Sequence, residues 1–194
     1  MRKVPTQQRS RDMVERIVTA GREVLVSDGY DAFSTNRVAD VADISPGSLY
    51  QYFPNKTAII DVVIDRYMAS MSEQVVAALG DRIAGPPEDL VRGVLDALVC
   101  ALESDAALLH VAYEVLPLAR NNPARAAVEQ RVQQLATAYL AVRGLVPAPA
   151  TAAWVMVLAI ENLAVRWVID RPPISREAFL DELVALVTGY LPLG

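Results

Sequence analysis

Apolar residues recur along this chain at the spacing of a helix, and breaker residues cut that pattern into pieces of helix length. Val14, Ile17, Val18, Gly21, Val24 and Leu25 fall at i, i+3, i+4 and i+7, which lines one stripe of a 3.6-residue turn. The spacing predicts a helix over residues 8–27, ended by the turn chemistry of Asp28-Gly29. Ser34 is placed to cap a second, short helix carrying Val38, Ala39, Val41 and Ala42. Ser45-Pro46 opens a third, with serine at the N-cap and proline at the first helical position, and Pro54 keeps it short. Asn55 caps a long fourth helix through Ile59, Val63, Tyr67, Met71 and Leu79, closed by the breakers of 80–87. Leu90, Val91, Val94, Leu95, Leu98 and Leu102 mark a fifth. Asp105 caps a sixth that reaches Leu116 and Pro117, and Asn122-Pro123 starts a seventh carrying Val128, Val132, Leu135, Tyr139 and Val142. An eighth spans 151–170, ended by Pro172-Pro173, and Ser175 caps the last, with Phe179, Leu183, Leu186, Val187 and Tyr190. No stretch alternates with strand period and no segment repeats. The expected fold is all-α, with about nine helices.

A single cysteine, Cys100, excludes an internal disulfide framework and a cysteine-cluster zinc site, and a single histidine, His110, leaves little for a histidine one. No metal or cofactor is expected. The opening sixteen residues are basic and polar without an apolar core, so no secretory signal is expected and the cytoplasm is the expected compartment. The longest charge-free run, 144–160, is broken near its start by Pro147 and Pro149, and a membrane span needs roughly 20 apolar residues. No membrane segment is expected. The net charge of −5 hides a gradient: residues 1–56 carry +1 and the remainder −6. Arg2, Lys3, Arg9, Arg11 and Arg16 stand against only Asp12 and Glu15 ahead of the first stripe, and a local basic surface can meet phosphate on an acidic protein.

Residues 34–56, STNRVADVADISPGSLYQYFPNK, compress a helix, a tight turn and a second helix into the spacing of a helix-turn-helix. Ala39, Ala42, Ile44, Leu49 and Phe53 are small or apolar where two short helices must meet. The outward side chains of the second short helix, Ser48, Tyr50, Gln51 and Tyr52, are hydrogen-bonding groups suited to phosphates and base edges, and Gly47 permits close backbone approach. The segment resembles the DNA-binding domain of the TetR family of transcriptional repressors, with Thr35, Val38, Ala39, Ala42, Ser45, Gly47, Leu49, Tyr50, Tyr52, Phe53 and Lys56 in step. Gly29-Tyr30 and Phe33 fit upstream, and the match covers about residues 9–60. One departure is Asp43, where the family usually has glycine in the turn; aspartate tolerates left-handed geometry at some strain. The resemblance implies that Thr35 holds a phosphate at a helix N-terminus and that Asn36 and Arg37 reach a base or phosphate. By the same resemblance, Gly47, Ser48 and Gln51 meet base edges, Tyr50 and Tyr52 bond phosphates, Lys56 adds a cation, and Ser45 belongs to the same surface.

The resemblance further implies a DNA-binding domain over 1–56 and a ligand-binding, dimerising domain over 57–194. The residues support part of that. Residues 152–160, AAWVMVLAI, are apolar around the whole circumference, and a helix of that kind must be covered on all sides. The last two helices, with small Ala185 and Gly189 and apolar Leu183, Leu186, Val187, Tyr190 and Leu191, are expected to pair with their symmetry mates in a homodimer. Polar or aromatic side chains set among apolar helix residues are the effector candidates. They are His110, Tyr113, Glu114, Cys100, Tyr139, Trp154, Glu161, Asn162 and Trp167, with Met68 and Met71 as adaptable lining for a hydrophobic or aromatic small molecule. The expected function is a ligand-responsive repressor on a palindromic double-stranded operator. A helical enzyme lacks every usual signature here, from Glu-x-x-His spacing to a phosphate loop or serine elbow. A ligand-binding adaptor without sequence-specific DNA binding draws support only from Asp43.

Overall fold

The computed structural model describes residues 5–82, 87–115, 123–144 and 146–190, and no strand occurs among them. The helices are α1 Pro5–Ala32, α2 Thr35–Val41, α3 Pro46–Tyr50, α4 Lys56–Arg82, α5 Pro87–Glu103, α6 Ala106–His110, α7 Pro123–Arg143, α8 Pro149–Asp170 and α9 Arg176–Tyr190. A π-helical turn, Val111–Val115, follows α6 directly.

The capping residues explain where the helices begin. The Ser34 hydroxyl accepts from the Arg37 N–H at 3.2 Å and Ser45 from the Ser48 N–H at 3.1 Å. Asn55 accepts from Ala58 at 2.9 Å, Asp105 from Leu108 at 3.3 Å and Ser175 from Ala178 at 3.2 Å. Each satisfies an amide that the first helical turn leaves without an intrahelical acceptor. Asn122 and the Leu116-Pro117 stop lie outside the described residues. Two boundaries differ from expectation, those of α4 and α8, while the end of α1 holds. Helix α1 carries on to Ala32, but its backbone breaks at Gly29 (φ 77, ψ 176), a conformation open in practice to glycine alone, so the long helix does end at Asp28-Gly29. Helix α4 runs past Gly80 to Arg82, since one glycine costs only about 1 kcal/mol in a helix. Helix α8 starts at Pro149, whose missing N–H is harmless at the first turn.

The chain forms two compact units: Met1–Tyr67 with His110–Arg120, and Met68–Leu109 with Asn121–Gly194. The first therefore extends past residue 56 into α4. Its core is Ile17, Val24, Leu25, Phe33, Val38, Leu49, Phe53, Ile59 and Val63, all buried. Gly21 lets α1 and α4 approach closely: a Cβ there would lie 2.6 Å from Ile59 Cγ2. Arg66 forks onto the Glu15 carboxylate at 2.6 and 2.8 Å, tying the same two helices. The π-helical turn packs on α1, with Val111 and Ala112 buried.

In the second unit α7 packs along α8 and α9 along α5. Arg176 donates to Asp96 at 2.7 Å and to Glu103 at 2.9 Å, and Arg92 pairs with Asp181, so ionic contacts stitch α9 to α5. By length and composition α8 is long and apolar enough to cross a membrane, which corrects the expectation that no segment qualifies. Pro149 begins that helix instead of interrupting it. Only 28% of its most apolar window is buried within the chain, and Arg166 and Asp170 pair at its end. Its uncovered face carries Trp154 (53% exposed), Val155 and Leu163.

Candidate nucleic-acid interface

Helices α2 and α3 form the helix-turn-helix. Val38 and Ala39 of α2 and Leu49 of α3 face inward, with Phe53 buried just beyond. The join is tight. Asp43 takes a left-handed conformation (φ 52), its N–H donates to the Asp40 carbonyl at 3.1 Å, and the Ile44 N–H donates to that of Ala39 at 3.0 Å. The helix-turn-helix is thus intact with aspartate where glycine was expected. Ser45 caps α3, and its hydroxyl also meets that of Ser48 at 2.9 Å. The backbone bonds of α3 close with Tyr52 and Phe53 donating to the Leu49 carbonyl, so the helix stops before Pro54.

The outward face gathers most of the expected residues. Gly47, Tyr50 (52% exposed) and Gln51 are open, while Ser48 and Tyr52 are half-buried. Thr35, at the first position of α2, has its hydroxyl 2.9 Å from that of Tyr50. Two hydroxyls from different helices thus stand together beside the amides of the α2 N-terminus, an arrangement able to take one phosphate oxygen. Asn36 is exposed on the same turn.

Three cations are engaged in ways the sequence does not reveal. Arg37 Nε donates to Asp28 Oδ2 at 3.0 Å, so its guanidinium is turned to α1 in the free protein. The Ser27 hydroxyl and then Arg37 hold the Asp28 carboxyl below its usual range, and the same contact raises Arg37. Lys56 Nζ sits 4.8 Å over the Tyr30 ring, a cation–π contact that leaves the ammonium at the start of α4. Arg16, counted in the sequence only as part of a basic segment, donates to the carbonyls of Ala42 and Asp43. Partners so far apart in the chain leave no local pattern to find.

The effector candidates divide between the two units. His110, exposed, and Tyr113, half-buried, belong to the first unit, and the Glu114 side chain lies outside those described. The second unit holds Met68, buried, Met71 and Glu161, half-buried, and Cys100, exposed. Trp154 lies on the uncovered face of α8, and Asn162 spends its amide on the Leu158 carbonyl at 2.7 Å. Trp167 stacks on Phe179 with centroids 5.0 Å apart, filling the α8–α9 corner. Tyr139 is different: its hydroxyl is buried without a hydrogen-bond partner among the described residues, and Arg143 lies 5.4 Å over its ring. On α9, Leu183 and Val187 are buried within the unit, whereas Leu186 (48% exposed) and Tyr190 (49% exposed) point outward beside exposed Ala185 and Gly189. Leu191 lies outside the described residues.

Residues 17–63 match the family model for bacterial regulatory proteins of the tetR family, and residues 86–191 match that for the tetracyclin repressor-like C-terminal domain. The chain is 34% identical over 59 residues to the DNA-binding transcriptional repressor TetR of Mycobacteroides abscessus, a match covering 30% of this chain and 31% of that protein. It is 36% identical over 56 residues to the HTH-type transcriptional repressor KstR of Mycobacterium tuberculosis, covering 29% of this chain and 26% of that one. These alignments span about a third or less of either relative. The fold extends further: the fatty acid degradation regulator FadR from Bacillus halodurans superposes with a TM-score of 0.68 over 97% of each chain, at 16% identity.

Proposed function

We propose that this chain, which belongs to the tetR family of bacterial regulatory proteins, is a repressor that reads a palindromic operator as a homodimer and releases it when a small hydrophobic or aromatic effector binds. The division of labour at residue 56 belongs to this reading, with 1–56 on the DNA and 57–194 holding effector and partner. The observation that carries it is the α2–α3 face. The Thr35 and Tyr50 hydroxyls stand 2.9 Å apart at an amide-rich helix end, and Gly47 and Gln51 are exposed alongside. Thr35, Tyr50, Tyr52 and Lys56 take phosphates and set register, while Gly47, Ser48 and Gln51 read base edges. Ser45 holds α3 in place, and Asn36 adds a contact at the α2 end. Arg37 reaches DNA by exchanging Asp28 for a phosphate, since the polyanion offers the denser negative charge.

The uncovered apolar strip of Trp154, Val155 and Leu163 on α8, with Leu186 and Tyr190 on α9, fits a two-fold interface. A cytoplasmic protein is the setting that suits this surface and its DNA partner. The buried Tyr139 hydroxyl, unpartnered among the described residues, supports an effector that brings a hydrogen-bonding group, since such a hydroxyl costs about 1–3 kcal/mol when left unmet. Binding must differ between DNA-bound and released conformations, typically by 1–3 kcal/mol, for release to follow. Titration of the operator with variants tests the assignment. Tyr50→Phe is expected to weaken binding to every sequence alike, and Gln51→Ala to relax preference at one base pair, by about 1–3 kcal/mol. Equal losses at all positions for both variants would remove Gln51 from base reading.

A further inference from the structure

We infer that Arg16 is a positioning residue for the recognition helix: its guanidinium clamps the two carbonyls that flank the Asp43 peptide joint and so sets the angle at which α3 leaves α2. Arg16 Nη2 donates to the Ala42 carbonyl at 2.6 Å and to that of Asp43 at 3.2 Å. Those carbonyls belong to the peptide planes on either side of the Asp43 Cα. The φ and ψ of Asp43 are what set the angle between them, so a donor shared by both restrains that joint directly. The joint needs restraint. Asp43 sits at φ 52, in the left-handed region where a side chain is strained and glycine is not. The Ala42 carbonyl also lies at the negative end of α2, where a cation is favoured and an unmet acceptor is not. Between α2 and Pro46 only Ala42, Asp43, Ile44 and Ser45 intervene, so a change in the joint is carried straight into α3.

The inference rests on the DNA-reading assignment of α3, so its first readout needs no DNA. Amide hydrogen exchange at Ile44, whose N–H donates to the Ala39 carbonyl across the turn, is compared in the whole protein, in Arg16→Gln and in Arg16→Gln with Asp43→Gly. Protection is expected to fall roughly tenfold in the single variant, as a charge-assisted hydrogen bond is lost, and to return in the double variant, where glycine needs no clamp. Unchanged protection in Arg16→Gln overturns the inference. The second readout is affinity for the selected operator across salt concentrations. Arg16→Gln is expected to bind more weakly with the salt slope unchanged, and the double variant to recover. Arg16→Lys, which keeps the charge but ends one bond short of the position of Nη2, is expected to fall between wild type and Arg16→Gln in both readouts. A slope reduced by about one unit with no change in exchange would make Arg16 a phosphate contact and overturn the clamp. Failure of the wild-type protein to select any sequence, with the exchange result intact, would strike the DNA reading and leave the clamp on α3 supported.

Discussion

Gly21 shows how a single residue positions the proposed DNA-reading surface from within the core. Its missing Cβ is what allows Ile59 of α4 to lie against α1, and the nearest atom of Ile59 is a branched methyl that cannot swing aside. Gly21→Ala gains helix propensity of about 1 kcal/mol but overpacks the contact, and overpacking costs about 1–3 kcal/mol. Urea denaturation is expected to show a net loss of stability; an unchanged or higher midpoint would mean α4 yields freely. Asp28 gives a pH-dependent counterpart. Its carboxyl is held below the ordinary value by Ser27 and Arg37, so its contribution is present above the unfolded pKa and disappears as pH falls through the lower folded one. An NMR titration of Asp28 is expected to move upward towards the ordinary value in Arg37→Ala. No movement would show the pair to be idle. Both contacts were closed to sequence reading. Gly21 looked like one more member of an apolar stripe, and Asp28 like a turn residue, because nothing local reveals a partner on another element.

At the scale of helices, cap chemistry was legible because it is local. Ser34, Ser45, Asn55, Asp105 and Ser175 each bond an amide three residues on. Other helix ends were less so: α4 passes Gly80, and the segment after α6 winds into a π-helical turn against α1. The cap with most consequence is Ser45, because α3 has only five residues and little else to hold its first turn. Ser45→Ala is expected to cost about 1 kcal/mol of stability and to weaken operator binding beyond that of a cap loss on α9. The matched control is Ser175→Ala, measured by the same melts and DNA titrations. Equal effects of the two on DNA would show that the α3 cap serves stability alone.

For the whole molecule, the apolar circumference of α8 was legible in the sequence, while the facing of α9 was not. Leu183 and Val187 and, three positions on, Leu186 and Tyr190 both repeat at helical spacing. The first pair is buried where α9 packs on α5, a contact between elements far apart in the chain. The outward pair, with Trp154 and Leu163 on α8, is the surface proposed to meet a second copy. Leu186→Glu is expected to yield monomers in sedimentation velocity while leaving the helical content of each chain intact, and a dimer that persists would place the interface elsewhere. Dimerisation matters because two recognition helices roughly 34–36 Å apart can enter successive major grooves on one face of DNA. Selection of duplexes from a random pool by the purified protein, at about 150 mM salt where non-specific phosphate binding is weakened, tests that claim most directly. Recovery of an inverted repeat whose half-sites lie one helical turn, or a multiple of it, apart is expected. Recovery of no preferred sequence by folded, dimeric protein would contradict it.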